Sequence, residues 1–311
     1  MPEGPQLVAD ARCQIAEGPV WHPDEDCLYW SDILAGAVYR YDPARGTHAV
    51  VYRGDLVGGI TVQHDGSLLL LGARGSVRSW REGAVRGVIL ASIPGEENSR
   101  FNDAIADPCG RIISGTMAVR DATGQVIRHG RLYRLDPSGH YWTLLGGMGS
   151  PNGMGFTADL HQLYLTDSIT GTQAIFRHAY DPVTGALGTA SVFYQAPLDG
   201  SAGRPDGMAV DIDVCIWSAL WDGAAVVRLG PDGAERERVS LPVRKVTSVA
   251  FGGADLADLY ISTASLDSSP EDQPGAGGIF RLRTGTAGRP AFRSRIPLHP
   301  HRLLTMSRHR D

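Results

Sequence analysis

The chain alternates short apolar runs with polar turns, and the alternation recurs in six units. The second apolar run of each unit reads "CLYWSDI" (27–33), "SLLLLGA" (67–73), "RIISGTM" (111–117), "QLYLTDS" (162–168), "CIWSALW" (215–221) and "DLYISTA" (258–264). A third run follows, of the form G-x-aliphatic-x-Arg-aromatic or Leu: "GAVYRYDP", "GSVRSWRE", "GRLYRLDP", "QAIFRHAY", "AAVVRLGP" and "GGIFRLRT". Each second run is preceded by a turn rich in Asp and Gly, such as "HPDED", "QHDG" or "DPCG", the residues that hairpin connections favour. The units recur every forty to fifty residues or so, the period of propeller blades. No stretch sustains the 3.6-residue periodicity that the helices of an α/β barrel need. The pattern predicts an all-β fold, a six-bladed β-propeller of four-stranded antiparallel blades, as a single domain over 1–296. The N-terminal "PQLVAD" is expected to supply the outer strand of the last blade and so close the ring. Residues 297–311 read as a basic, peripheral C-terminal tail.

Composition narrows the class. The 311 residues are 42% hydrophobic and carry a net charge of −5 with no basic block, so nucleic acid is not an expected partner. The N-terminus lacks a signal-peptide pattern and no apolar run reaches a membrane span. A cytoplasmic protein is expected, with no membrane partner, and either a monomer or a dimer fits. The four cysteines, Cys13, Cys27, Cys109 and Cys215, form no CxxC pattern and read as free thiols. The arginines that recur in the third run (Arg40, Arg134, Arg177, Arg228, Arg281) and the histidines His22, His64, His161 and His178 read as structural or solvent-facing.

The candidate chemistry lies in the first run of each unit. These begin "EGPVW", "GGITV", "NDAIA", "NGMGF", "DGMAV" and "TSVAF", led by Glu17, Gly58, Asn102, Asn152, Asp206 and Thr247. In a propeller the innermost strands line the channel, so one repeat position comes round at one height and faces the axis. Asn or Asp before Gly is by itself an ordinary turn signal. Glu, Asn, Asn and Asp in register instead point to a ring of oxygen donors. Such a ring selects one divalent cation, Ca²⁺ first, with Mg²⁺, Mn²⁺, Zn²⁺ and Fe²⁺ compatible.

The motifs "EGPVWHP", "SRFNDAIADPCGRIISGTM", "SPNGMGF", "RPDGMAVD", "VTSVAFGG" and "GGIFRL" resemble the senescence-marker-protein-30/gluconolactonase family, which includes regucalcin and sugar lactonases. The resemblance runs from about residue 13 to about residue 296. It implies a propeller with one divalent cation in its channel that hydrolyses a sugar lactone or a related small lactone. Carried over, the metal ligands are Glu17, Asn152 and Asp206, and Asp206 is also the candidate general base. Arg100 and Asn102 match the family's substrate-binding pair, and Arg100 is placed beside the reacting carbonyl. The chain departs from the pattern after "SGTM", where some sugar lactonases carry an acidic residue that touches substrate hydroxyls. Here that position is Arg120, a substrate-binding candidate whose donors suit carboxylate, phosphate or ring-carbonyl oxygens.

A small cationic site with open positions suits ester hydrolysis, because the ion polarises a carbonyl and lowers the pKa of water. A phosphotriesterase could use the same geometry. The readings outside enzymology are a Ca²⁺-binding protein and a scaffold propeller. A scaffold needs no polar ring at the axis, and a Ca²⁺ buffer needs no Arg100 beside it. No G-x-S-x-G elbow supports serine-esterase chemistry.

Overall fold

The computed structural model describes residues 4–169, 171–268 and 273–298. Six four-stranded antiparallel sheets follow one another around a central channel. The inner strands, in chain order, are Ala16–His22, Val57–Val62, Phe101–Ala106, Pro151–Phe156, Arg204–Val210 and Val246–Gly252. The expected propeller is therefore present. The ring closes as the sequence suggests: Gln6–Ala9 pairs with Ile279–Arg283, with Leu7 opposite Phe280. That pairing completes the sixth blade and covers an edge that would otherwise expose unpaired backbone groups. Blade three carries an element that the pattern does not announce, a short hairpin of Val119–Arg120 against Val126–Arg128.

The apolar alternation becomes six separate cores, one between each pair of adjacent blades. Trp30 and Tyr260 belong to the core joining blades one and six. Phe101 and Leu71 share the core of blades two and three. Tyr164 and Ile216 share that of blades four and five. The recurring third-strand arginines close turns on the outside of these cores. Arg228 pairs with buried Asp211 at 2.8 Å, and Arg134 with Asp136 at 2.7 Å. Cys13, Cys27 and Cys215 are buried and Cys109 is exposed, all four as free thiols. The described residues include no helix, and hence none long and apolar enough to cross a membrane.

Near the axis every inner strand breaks register with its neighbour. The irregularities fall between Glu17 and Val20, Val57 and Gly59, Phe101 and Ala104, Pro151 and Met154, Pro205 and Met208, and Val246 and Ser248. A bulge re-aims the side chain it carries, so six local departures from regular pairing turn one repeat position toward the channel. The glycines that follow have a steric reason. A Cβ on Gly153 would collide with the backbone of Asp206 and Met208, and one on Gly207 with Ser248. What comes so close is the next blade's inner strand, so the Gly in "PNGM" and "RPDGM" sets how tightly the blades gather around the axis.

After the last blade the chain crosses the end of the channel away from Glu17. Gly288 bridges to Asp211 and Ser294 to Gln63. Phe292 packs on Phe156, Arg293 pairs with Asp24 at 2.6 Å, and the Arg295 N–H donates to Gly110 O at 2.8 Å. The Gly288 N–H donates to Leu256 O. This segment thus touches all six blades, and Ile296 is buried between blades two and three. Ile296→Ala is expected to lower stability by about 2–5 kcal/mol, the range for emptying a well-packed aliphatic site. Urea unfolding checks this, and an unchanged midpoint would show that the segment is only laid on the surface. The expected basic tail begins here; its residues 299–311 lie outside the described residues.

Candidate active site

The far end of the channel opens into a cavity of about 320 Å³. Glu17, Asn102, Asn152, Asp206 and Thr247, five of the six residues at the axial repeat position, line it. Arg100, Arg120 and Arg204 line it as well. The sequence-derived candidates therefore share one cavity: Glu17, Asn152 and Asp206 come from blades one, four and five, Arg100 and Asn102 both come from the entry of the blade-three inner strand, and Arg120 comes from the blade-three hairpin and is exposed.

A continuous polar belt sets the side-chain directions. Arg100 Nη1 donates to Asn102 Oδ1 at 2.6 Å and to Phe101 O at 3.0 Å. Asn102 Nδ2 donates to Asn152 Oδ1 at 2.6 Å and to Pro151 O at 2.9 Å. Asn152 Nδ2 donates to Ser168 Oγ at 2.9 Å, and Ser168 Oγ donates to Pro205 O at 2.6 Å. Blades three, four and five are thereby tied together at the axis. Because Ser168 takes one Asn152 amide N–H, the amide is fixed with its oxygen toward Asn102, where a second lone pair remains. Two aspartates at the ends of second strands hold the approaches: Asp32 accepts from the Gln14 and Ile15 N–H groups, and Asp167 from those of Gly149 and Ser150. Sequence reading passed over Ser168, Asp32 and Asp167. The signal was the polar end of the second run in "WSDI" and "LTDS".

The electrostatics are unbalanced. Glu17 and Asp206 are almost fully buried. Burial, then the charges of Asp206 and Asp103, push the Glu17 carboxyl well above the ordinary carboxylate range. Burial and then Asp103 do the same to Asp206. Burial holds the Arg100 guanidinium down to about 10, against the pull of Glu17 and Asp206. Asp103, adjacent to Asn102, is pushed up to about 6 by burial. Its side chain faces a second, largely apolar cavity of about 440 Å³ on the other side of the strand. Deep in the cavity one desolvated guanidinium, joined at Asp206 by the charge of Arg204, is thus set against several buried carboxyl groups whose pKa values stay raised, which is an arrangement that costs free energy unless further positive charge lies among them.

The residues fit a divalent cation on these grounds. Glu17 Oε2 is buried with no hydrogen-bond partner, and an acceptor in that state calls for a donor or an ion. The donors are all oxygen, from two carboxylates and an amide, the chemistry that hard cations select. Two added positive charges would also offset the repulsion between Glu17 and Asp206. Among the described residues, no three His, Cys, Asp or Glu side chains gather into a metal-holding group. A ring with two carboxylates, completed by an amide oxygen and with Asp103 turned away, is not such a cluster.

Comparison with known proteins gives the family. The model of the SMP-30/Gluconolactonase/LRE-like region matches residues 15–265. A pentonolactonase of Haloferax volcanii is 44% identical over 299 residues, covering 94% of this chain and 98% of that protein. A 6-deoxy-6-sulfogluconolactonase of Pseudomonas putida is 35% identical over 278 residues, covering 88% of this chain and 92% of that one. Among solved structures, a luciferin-regenerating enzyme superposes with a TM-score of 0.85 at 25% identity, over 94% of this chain and all of the other.

Proposed function

The chain belongs to the SMP-30/gluconolactonase/LRE-like family, and from that premise we propose that Glu17, Asn152 and Asp206 hold one divalent cation beside which Asp206 and Arg100 open a lactone ring. The protein is a sugar lactonase, a carboxylic ester hydrolase that converts a lactone to its hydroxy acid. The observation that carries the site assignment is the unpartnered, buried Glu17 Oε2 in the cavity it shares with Asn152, Asp206 and Arg100. Ca²⁺ is the first choice of ion on the all-oxygen donor set.

When bound, the ion supplies Lewis-acid polarisation of the carbonyl and a more acidic water. The rest is done by side chains. Asp206 accepts the proton of the attacking water on a carboxylate oxygen. The water oxygen bonds to the carbonyl carbon, the ring C–O bond breaks, and the proton passes to the departing ring oxygen, which becomes the product hydroxyl. Arg100 keeps donors beyond the two hydrogen bonds that orient it, and the desolvated guanidinium stabilises negative charge growing on the carbonyl oxygen. Asn102 fixes that guanidinium through its amide oxygen, and with both amide N–H groups held by Pro151 and Asn152 it offers the substrate the remaining lone pair of that oxygen. The belt through Asn152 and Ser168 keeps these groups from rearranging during the reaction.

The direct test is acid release from an aldonolactone, with and without chelator. Hydrolysis that is abolished by chelation and restored by a divalent salt is expected. Arg100→Ala is expected to lower kcat/KM about a hundredfold on every lactone, as loss of a transition-state donor does. A loss confined to KM would move Arg100 from the reacting carbonyl to the substrate's periphery.

A further inference from the structure

The polar lining of the mouth cavity is unequal in charge. Arg100, Arg120 and Arg204 face it, against the carboxylates of Glu17 and Asp206 alone. Those two carboxylates are the ones a divalent cation would neutralise, which among the described residues leaves Arg100 and Arg120 without a carboxylate partner and Arg204 with only a long contact to Asp222. Arg204 stands two residues before Asp206, the register at which Arg100 precedes Asn102. The inner-strand bulge follows both positions, so the repeat brings a second arginine to the mouth by the same route as the first.

Neither outer arginine is consumed by structure. The ion pair of Arg204 is a 3.5 Å contact with Asp222, a carboxylate that Arg244 also approaches at 3.3 Å. Arg120 gives one N–H to Gly124 O at 2.7 Å, and among the described residues no carboxylate pairs with it. The rest of the lining includes the apolar Ile33, Ile169, Trp221 and Leu266 and the hydroxyls of Ser150, Ser168 and Thr247, of which Ser168 and Thr247 are already engaged with the backbone. A neutral polyol needs acceptors for its hydroxyl hydrogens, and guanidinium groups only donate. An anionic group on the substrate would instead meet planar forks of donors matched to its oxygens.

Resting on the lactonase reading, we propose that the substrate of this site is an anionic sugar lactone, bearing an acidic group on the chain away from the ring carbonyl. Arg204, with Arg120, receives that group and determines specificity. Arg100 stays with the reacting carbonyl, so the two ends of the substrate are held by different arginines. The excess positive charge also steers an anionic lactone into the mouth, an effect that salt screens.

The test compares glucono-1,4-lactone with glucaro-1,4-lactone, which differ in a terminal hydroxymethyl against a terminal carboxylate, using the cation-loaded protein at low and high ionic strength. Wild type is expected to favour the carboxylate lactone by about tenfold or more in kcat/KM at low salt, with the preference shrinking at high salt. Arg204→Gln is expected to reduce that preference about tenfold, chiefly through KM, because the lost contact is to a non-reacting part of the substrate. Arg204→Lys should recover part of it by keeping the charge without the fork. Since the readout is a ratio between two substrates, a general loss of folded protein does not imitate the result. Hydrolysis of the neutral lactone with no preference for the carboxylate overturns this inference and leaves the lactonase reading standing. So does a preference unchanged in both Arg204→Gln and Arg120→Gln. Hydrolysis of neither lactone overturns the lactonase reading and this inference with it.

Discussion

Asp206→Asn is expected to lower kcat/KM for lactone hydrolysis by at least about a hundredfold, the scale of lost general-base assistance. Asn keeps the shape of the side chain and one oxygen toward the channel, but it has neither the charge nor the basicity to take a proton from water. The fold should survive. Asp206 lies on the inner strand Arg204–Val210, and its carboxyl, raised first by burial and then by Asp103, is poorly tolerated as an anion in the cation-free protein. Removing that charge should leave the urea midpoint of the cation-free protein unchanged or higher. Two measurements separate the roles assigned to this residue. If saturating divalent cation restores the full rate to Asp206→Asn, the carboxylate only holds the ion. If the rate stays low while the cation still binds, Asp206 is the base. Near-normal turnover without added cation would remove Asp206 from the mechanism altogether.

Removal of divalent cations is expected to reduce lactonase activity to the background of spontaneous hydrolysis, and Glu17→Gln to weaken cation binding. The grounds lie in the buried ring. Glu17 Oε2 has no partner, and after burial the charge of Asp206 is what most opposes ionisation of Glu17. A cation that enters should therefore stabilise the fold as well as support the reaction. Linkage sets the scale: about 2.7 kcal/mol when the free ion is a hundred times its dissociation constant. Thermal unfolding across Ca²⁺, Mg²⁺, Mn²⁺ and Zn²⁺ reads this without a substrate. The most stabilising ion should also be the one that best restores hydrolysis. A melting temperature indifferent to every divalent ion, with activity indifferent to chelator, would refute the ion site and leave the ring as a hydrogen-bonded core.

Much of this site was legible before any coordinates. The axial residues Glu17, Asn152 and Asp206 could be found because a propeller repeats one structural position, and a polar residue recurring there stands out against the apolar run behind it. Arg204 occupied a repeat position too, since it precedes Asp206 as Arg100 precedes Asn102. It escaped notice because a single Arg before Pro carries no chemical pattern until its neighbours in space are known. The partner of a side chain such as Ser168, which joins Asn152 to the backbone of the next blade, is separated from it by 37 positions along the chain, and no local pattern encodes that distance.

By itself the sequence determined the number of blades, their strand order, the closure by the N-terminal run "PQLVAD" and the residue type at the axis. These follow from the period of apolar positions and from turn residues, which act within a few residues of one another. Only the tertiary structure decided which way each polar group turned. The bulges send Asn102 to one cavity and its neighbour Asp103 to the other, although both read as equal oxygen donors in "FNDAIA". The glycine of "PNGM" answers to the next blade's backbone. The segment after the last blade, featureless as a pattern, crosses all six blades because each offers it a backbone group, an apolar face or, in blade one, the Asp24 carboxylate. Such choices depend on burial, on charge brought close from distant parts of the chain, and on backbone contacts between blades, which exist only once the ring has closed.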